Sequence, residues 1–95
     1  MRDSLSVQVL QTASFARIYK KLQKNQKADV DAAVELIIKT PEIGEPKRGD
    51  LSGVYVYKFM SIHQQMLLAY EFDPATRILL LLGTHENFYR DLKRR

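Results

Sequence analysis

The chain contains no cysteine, which excludes disulfide scaffolds, thiolate metal sites and cysteine nucleophiles and leaves it compatible with a reducing cytoplasm. Histidine is almost as scarce. His63 and His85 are the two present, and with no H-E-x-x-H spacing between them neither a metal nor a cofactor is expected. No stretch approaches the roughly twenty apolar residues of a membrane helix, and the opening Met1-Arg2-Asp3-Ser4 carries no apolar signal core. The expectation is a soluble, cytoplasmic protein with no membrane partner. Internal repeats, low-complexity tracts and heptad runs are also missing.

What remains is enough for one small domain. The 95 residues are 45% hydrophobic, which suits a single core spanning residues 1–95. Fifteen Lys and Arg against eleven Asp and Glu give a formal charge of +4, a balance that favours polyanionic partners, whether nucleic acid or an acidic protein.

The pattern of apolar residues then divides the chain. Leu5, Val7 and Val9 alternate with polar neighbours, predicting a half-buried first strand. From Thr12 the period lengthens: Phe15, Ile18, Tyr19 and Leu22 write one helical face, ending near Gln23 to Asn25, and Val30, Ala33, Val34, Ile37 and Ile38 write a second, stopped by Pro41. Two short amphipathic helices so close together form a hairpin whose apolar stripe needs a sheet to cover. Pro41 to Asp50 reads as an irregular connection. Val54 to Met60 alternates again, with Tyr55, Tyr57 and Phe59 assigned to the core and Lys58 to the other side. A polar turn holding His63 leads to a strand over Met66 to Phe72, and Asp73-Pro74-Ala75-Thr76 turns the chain into Arg77 and the apolar run Ile78 to Leu82. That run suits a strand covered on both faces. Gly83 breaks it, Thr84 is placed to cap the next segment, and His85 stands where buried strand gives way to exposed turn, the kind of position where chemistry tends to sit. Phe88, Tyr89 and Leu92 suit a short C-terminal helix with a basic tail. The fold class is therefore α+β, a helical hairpin on a four-stranded, mainly antiparallel twisted sheet in the order β-α-α-β-β-β-α.

On this order and length the chain resembles the RelE/ParE superfamily of bacterial type II toxins over nearly its whole extent. The carrying residues are F-A-R-I-Y-K-K-L in the first helix, P-E-I-G-E-P-K-R-G-D-L-S-G before the second strand, V-Y-V-Y-K-F, L-L-A-Y-E-F, and G-T-H-E-N-F-Y-R-D-L. The resemblance implies a toxin neutralised by a cognate antitoxin that also represses their operon, so that contact with DNA is indirect. For RelE-like members such as HigB and YafQ it implies cleavage of mRNA in the ribosomal A site, without metal, by attack of a ribose 2′-OH on the adjacent phosphate. For ParE-like members it implies inhibition of DNA gyrase. A catalytically silent member that only binds its antitoxin is the third alternative.

Metal-free in-line attack needs a base for the 2′-OH, an acid or strong donor for the leaving oxygen, and cations for the phosphoryl charge. Here G-T-H is similar to the end of the last strand in YafQ-like enzymes, so the resemblance gives His85 the proton-transfer role. Tyr89 matches an aromatic frequent in the next segment, suited to stacking or donation, and Lys58 occupies the side of its strand where RelE-like sites hold cations. Lys47, Arg48 and Arg90, with Lys93, Arg94 and Arg95, are candidates for an approach to RNA; the competing account makes them solvated charges or grips for an acidic antitoxin. His63 and Gln65 are candidates at the cleft's edge. Two departures thin the cationic set: Val56 stands where a second basic residue is frequent, and Leu67-Leu68-Ala69-Tyr70 replaces R-V-I-Y.

Overall fold

The computed structural model describes residues 7–94; Leu5 of the predicted first strand lies outside them. Strand β1 (Gln8–Gln11), helix α1 (Ala13–Lys20) and helix α2 (Lys24–Lys39) are followed by a short 3-10 turn and the two-residue strand β2 (Glu45–Pro46). After a second 3-10 turn come β3 (Tyr55–Ser61), β4 (Gln64–Asp73), β5 (Thr76–Gly83) and helix α3 (Phe88–Arg94). The sheet order is β1-β5-β4-β3-β2, with β1 parallel to β5 and the other pairs antiparallel. The fold class is as expected, with five strands in place of four. The additional one, β2, is too short and too rich in Pro and charge to show a period of its own.

Helix α1 starts where Thr12 Oγ1 accepts from Phe15 N at 3.1 Å and donates to Leu80 O at 2.7 Å, tying the N-cap to β5. The first helix ends earlier than its apolar spacing suggested, because Lys21 N and Leu22 N turn back to Ile18 O and Tyr19 O; Leu22 still packs on the core from the connection. Gln23 N donates to Gln26 Oε1 at 3.0 Å at the start of α2.

Apolar side chains fill both faces of the sheet. On one, Phe15, Val30, Ala33 and Ile37 of the hairpin bury against Met66, Leu68, Tyr70, Leu79 and Leu82. On the other, Val54, Val56, Leu67, Ala69, Leu80 and Leu81 are covered by Phe88 and Leu92 of α3. Seven residues cannot hold a helix alone, so these two anchors keep α3 in place. The aromatic side of β3 does face the hairpin, as assigned, but only half-buried, and its opposite side is also core as far as Val56. The half-buried β1 of the sequence reading is instead an exposed edge strand, with Val9 39% and Leu10 44% exposed.

Arg77, at the start of β5, is 5% exposed. Its guanidinium donates to Ile37 O and Ile38 O, carbonyls of the last turn of α2, at 3.2 and 3.0 Å, and to Asp73 O and Thr76 O at 2.7 and 3.1 Å. It also lies 5.7 Å from the Phe72 ring centroid. A planar fork reaches two helix-end carbonyls and two turn carbonyls together, and its charge suits the negative end of the helix. Replacement by Met should lower stability by about 2–4 kcal/mol, since buried carbonyls are left without a donor. Arg77→Lys should recover little of that loss, and urea unfolding midpoints of the two variants check both statements.

Candidate functional site

Three elements deliver the candidate side chains to the face of the sheet that α3 partly covers. Register comes first: Lys58 pairs Leu67, and Leu67 pairs Gly83, so Lys58 and the end of β5 share one row and one face. Beyond Gly83, a turn over residues 85–88 closes where Phe88 N donates to His85 O at 3.4 Å, and Asn87 takes φ +66°, a left-handed geometry that Asn tolerates. Thr84, expected as a cap, makes no side-chain hydrogen bond among the described residues. His85 emerges exposed, its ring 6.2 Å from that of Tyr89 in an edge-on arrangement. Tyr89 is set in turn by Phe88, whose ring meets it edge-on at 5.3 Å.

The connection between α2 and β3 brings the second half. Lys47 Nζ lies 5.0 Å from the Tyr89 ring centroid and bonds Glu45 Oε1 at 2.8 Å. The hydrogen bond from Lys47 holds the exposed Glu45 carboxyl below the usual carboxylate range, and Lys58 adds to this across the β2–β3 pair. The same hydrogen bond raises Lys47, with Tyr89 contributing and partial burial opposing. Glu45, Lys47, Tyr89 and His85 thus form a connected strip, with Lys58 beside Glu45.

Glu45 was missed because it sits in the stretch read as irregular. Its spacing of two from Lys47 was the available signal, since such a pair shares one face once the segment is extended. The remaining candidates are more scattered. Gln65 pairs Met60 and so faces the same side as Lys58, nearer the hairpin tip. His63 lies at that tip with φ +63°, on the order of 13 Å along the strand from Lys58; no contact joins it to His85 or Tyr89 among the described residues. Arg48 is exposed next to Lys47. Arg90 is exposed beside Tyr89 and reaches Asp91 only at 3.7 Å.

The strip depends on a buried phenol. Tyr70 has no solvent exposure, donates to Pro41 O at 2.6 Å and accepts from Gly44 N at 2.9 Å. This pins the chain as it leaves α2 and sends it along β2 towards Lys47. A Cβ at Gly44 would lie 2.6 Å from the Tyr70 hydroxyl oxygen, so the position needs glycine.

Solved structures with this architecture include a double-arginine mutant of the E. coli toxin RelE in the free state, at 15% identity, covering 96% of this chain and 98% of that one, TM-score 0.74. The toxin-antitoxin complex RelBE2 from Mycobacterium tuberculosis matches at 22% identity, 85% and 100% coverage and TM-score 0.64. YafQ from E. coli matches at 15%, 83% and 93%, and 0.61. The fold is therefore that of the RelE-like toxins. No curated protein sequence matches the chain. Residues 9–93 match the family model described as ParE-like toxin of type II bacterial toxin-antitoxin system, and the chain belongs to that family.

Tyr70→Phe should cost about 1–3 kcal/mol, because Pro41 O loses its donor and Gly44 N its acceptor. Burial pushes the Tyr70 phenol above its ordinary value. A raised folded pKa means a contribution that is whole below the unfolded value, about 10, and is lost as pH rises through the folded one. Stability measured by denaturant between neutral and strongly alkaline pH should therefore fall less steeply in Tyr70→Phe than in the wild type.

Proposed function

We propose that this toxin is a ribosome-dependent mRNA endoribonuclease, in which a ribose 2′-OH attacks the adjacent phosphate. The observation that supports the reading is the exposed His85 ring in contact with Tyr89, whose ring carries the Lys47 ammonium, all on the face of the sheet to which Lys58 belongs. An imidazole exchanges protons near neutrality, and a phenol with a nearby ammonium is suited to a phosphate and its flanking base. Lys58 supplies charge for the phosphoryl oxygens, while Arg48, Gln65 and Arg90 flank the strip and contact the message. His63 serves RNA binding at the hairpin tip rather than proton transfer. The cognate antitoxin binds this chain and, through it, the complex meets DNA; all of this takes place in the cytoplasm. Among the described residues no helix is long and apolar enough to cross a membrane.

The match to a ParE-like family model favours a second reading, inhibition of DNA gyrase, which needs no cleavage residues. Message cleavage in a translating extract, run beside a supercoiling assay, separates the two. The expected outcome is cleavage that falls at least about 10²-fold in His85→Ala, a loss typical of removing an acid-base group, with an unchanged thermal midpoint. Activity in the supercoiling assay alone would overturn the nuclease reading.

A further inference from the structure

A cleft of about 380 Å³ opens between helices α1 and α2 beside the end of β1, a volume in the range of small-molecule sites. Three side-chain pairs build it, each spaced four apart and so set along one helical row. Phe15 and Tyr19 of α1 hold their rings nearly parallel, 13° apart with centroids at 6.3 Å. Val30 and Val34 of α2 line the same space but are too short to fill it, and the buried Leu79 closes the floor. Asp31 and Glu35, also of α2, stand exposed at the mouth.

Like charges one turn apart on a helix repel, and no lysine neutralises this pair. Asp31 Oδ1 accepts from Tyr19 Oη at 2.8 Å; the hydrogen bond raises the Tyr19 phenol above its ordinary value and keeps it a donor. Lys27, four residues before Asp31, lies instead over the Tyr19 ring, 5.7 Å from its centroid. Lys39, four residues beyond Glu35, makes no ion pair with it among the described residues. On a chain of net charge +4, an apolar cleft with two carboxylates at its mouth selects for a cation that has an apolar body.

We propose that the cleft between α1 and α2 binds an aliphatic polyamine whose ammonium groups are four methylenes apart. Asp31 and Glu35 are separated by one helical turn, about 5–6 Å between Cβ atoms, and a tetramethylene spacer holds two ammonium groups at a comparable distance. Each carboxylate takes one ammonium, the Tyr19 hydroxyl fixes the Asp31 carboxylate in place, and the methylenes lie against Phe15, Tyr19 and Val34 as a lysine stem lies on apolar surface. The aromatic rings add their attraction for an ammonium group. A hydrated magnesium ion gains nothing from such walls, since it keeps its water and has no apolar body. Phe15, Val30 and Leu79 belong to the core on the hairpin side of the sheet, so occupancy leaves the strip of Lys47, Tyr89 and Lys58 open, and the inference stands independently of RNA cleavage.

The test titrates the full chain with 1,4-diaminobutane, butylamine, 1,4-butanediol and magnesium chloride at constant ionic strength, following amide and methyl chemical shifts. The expected result is saturable change at Gln11, Tyr19, Val30 and Val34 with the diamine, binding about tenfold or more weaker with butylamine, and none with the diol. Asp31→Asn and Glu35→Gln, whose folds are checked by circular dichroism, should each weaken the diamine by about tenfold. Four outcomes would overturn the proposal: no saturation up to about 10 mM diamine, displacement of the diamine by equimolar magnesium, unchanged affinity in the Asp31→Asn/Glu35→Gln double variant, or shifts confined to other carboxylates such as Glu42 and Asp50.

Discussion

The hydroxyl of Tyr70 is the point on which the arrangement of the exposed strip depends. A phenol with no solvent exposure must satisfy its polar atom inside the protein, and it does so with the carbonyl of Pro41 and the amide of Gly44. Those two groups belong to the segment that must turn from helix to strand, where neither has a place in a ladder. One side chain from the centre of the sheet therefore does what secondary structure would otherwise do. Glu45 and Lys47 follow immediately, so the direction in which they leave is fixed from within the core.

Arg77 has the same relation to the other end of that turn. The last carbonyls of a helix lack internal partners, and in α2 the guanidinium reaches Ile37 O and Ile38 O from the first residues of β5. Tyr70 and Arg77 occupy neighbouring strands, pair with Leu79 and Phe72 respectively, and both hold α2's C-terminal end to the sheet. The helix exit is thus held at its own carbonyls and again after Pro41, which leaves it little freedom to move relative to the strip that it feeds.

The helices and the meander were readable because their apolar periods differ, 3.6 against 2, and because Pro41 and Gly83 stop them. His85 at the exit of β5 was readable for the same reason. Its face was not. A register shift at Ala69 and Tyr70 puts Leu80 and Leu81 together on the α3 side while Leu79 and Leu82 face the hairpin. In a run of identical leucines nothing marks where alternation breaks, yet that break decides on which side of the sheet the chain leaves. Tyr70 and Arg77 were legible as residues but not as buried anchors, since a strand tyrosine and a turn-flanking arginine are ordinary on a surface. Glu45 was hidden by the brevity of β2.

The Glu45–Lys47 pair bears on how much positive charge the strip can offer a polyanion. Lys47 is held protonated but already shares its charge with a carboxylate, and Glu45 also stands near Lys58. An exposed pair of this kind contributes little to stability, so its effect falls mainly on geometry: it keeps the Lys47 ammonium over Tyr89 rather than out in solvent. The cost is electrostatic. A phosphate entering between Tyr89 and Lys58 meets a carboxylate as well as two ammonium groups, and at separations within about a Debye length, ~8 Å at physiological salt, that repulsion is not screened away. The site is thus organised for placement of a few groups more than for strong attraction of any polyanion.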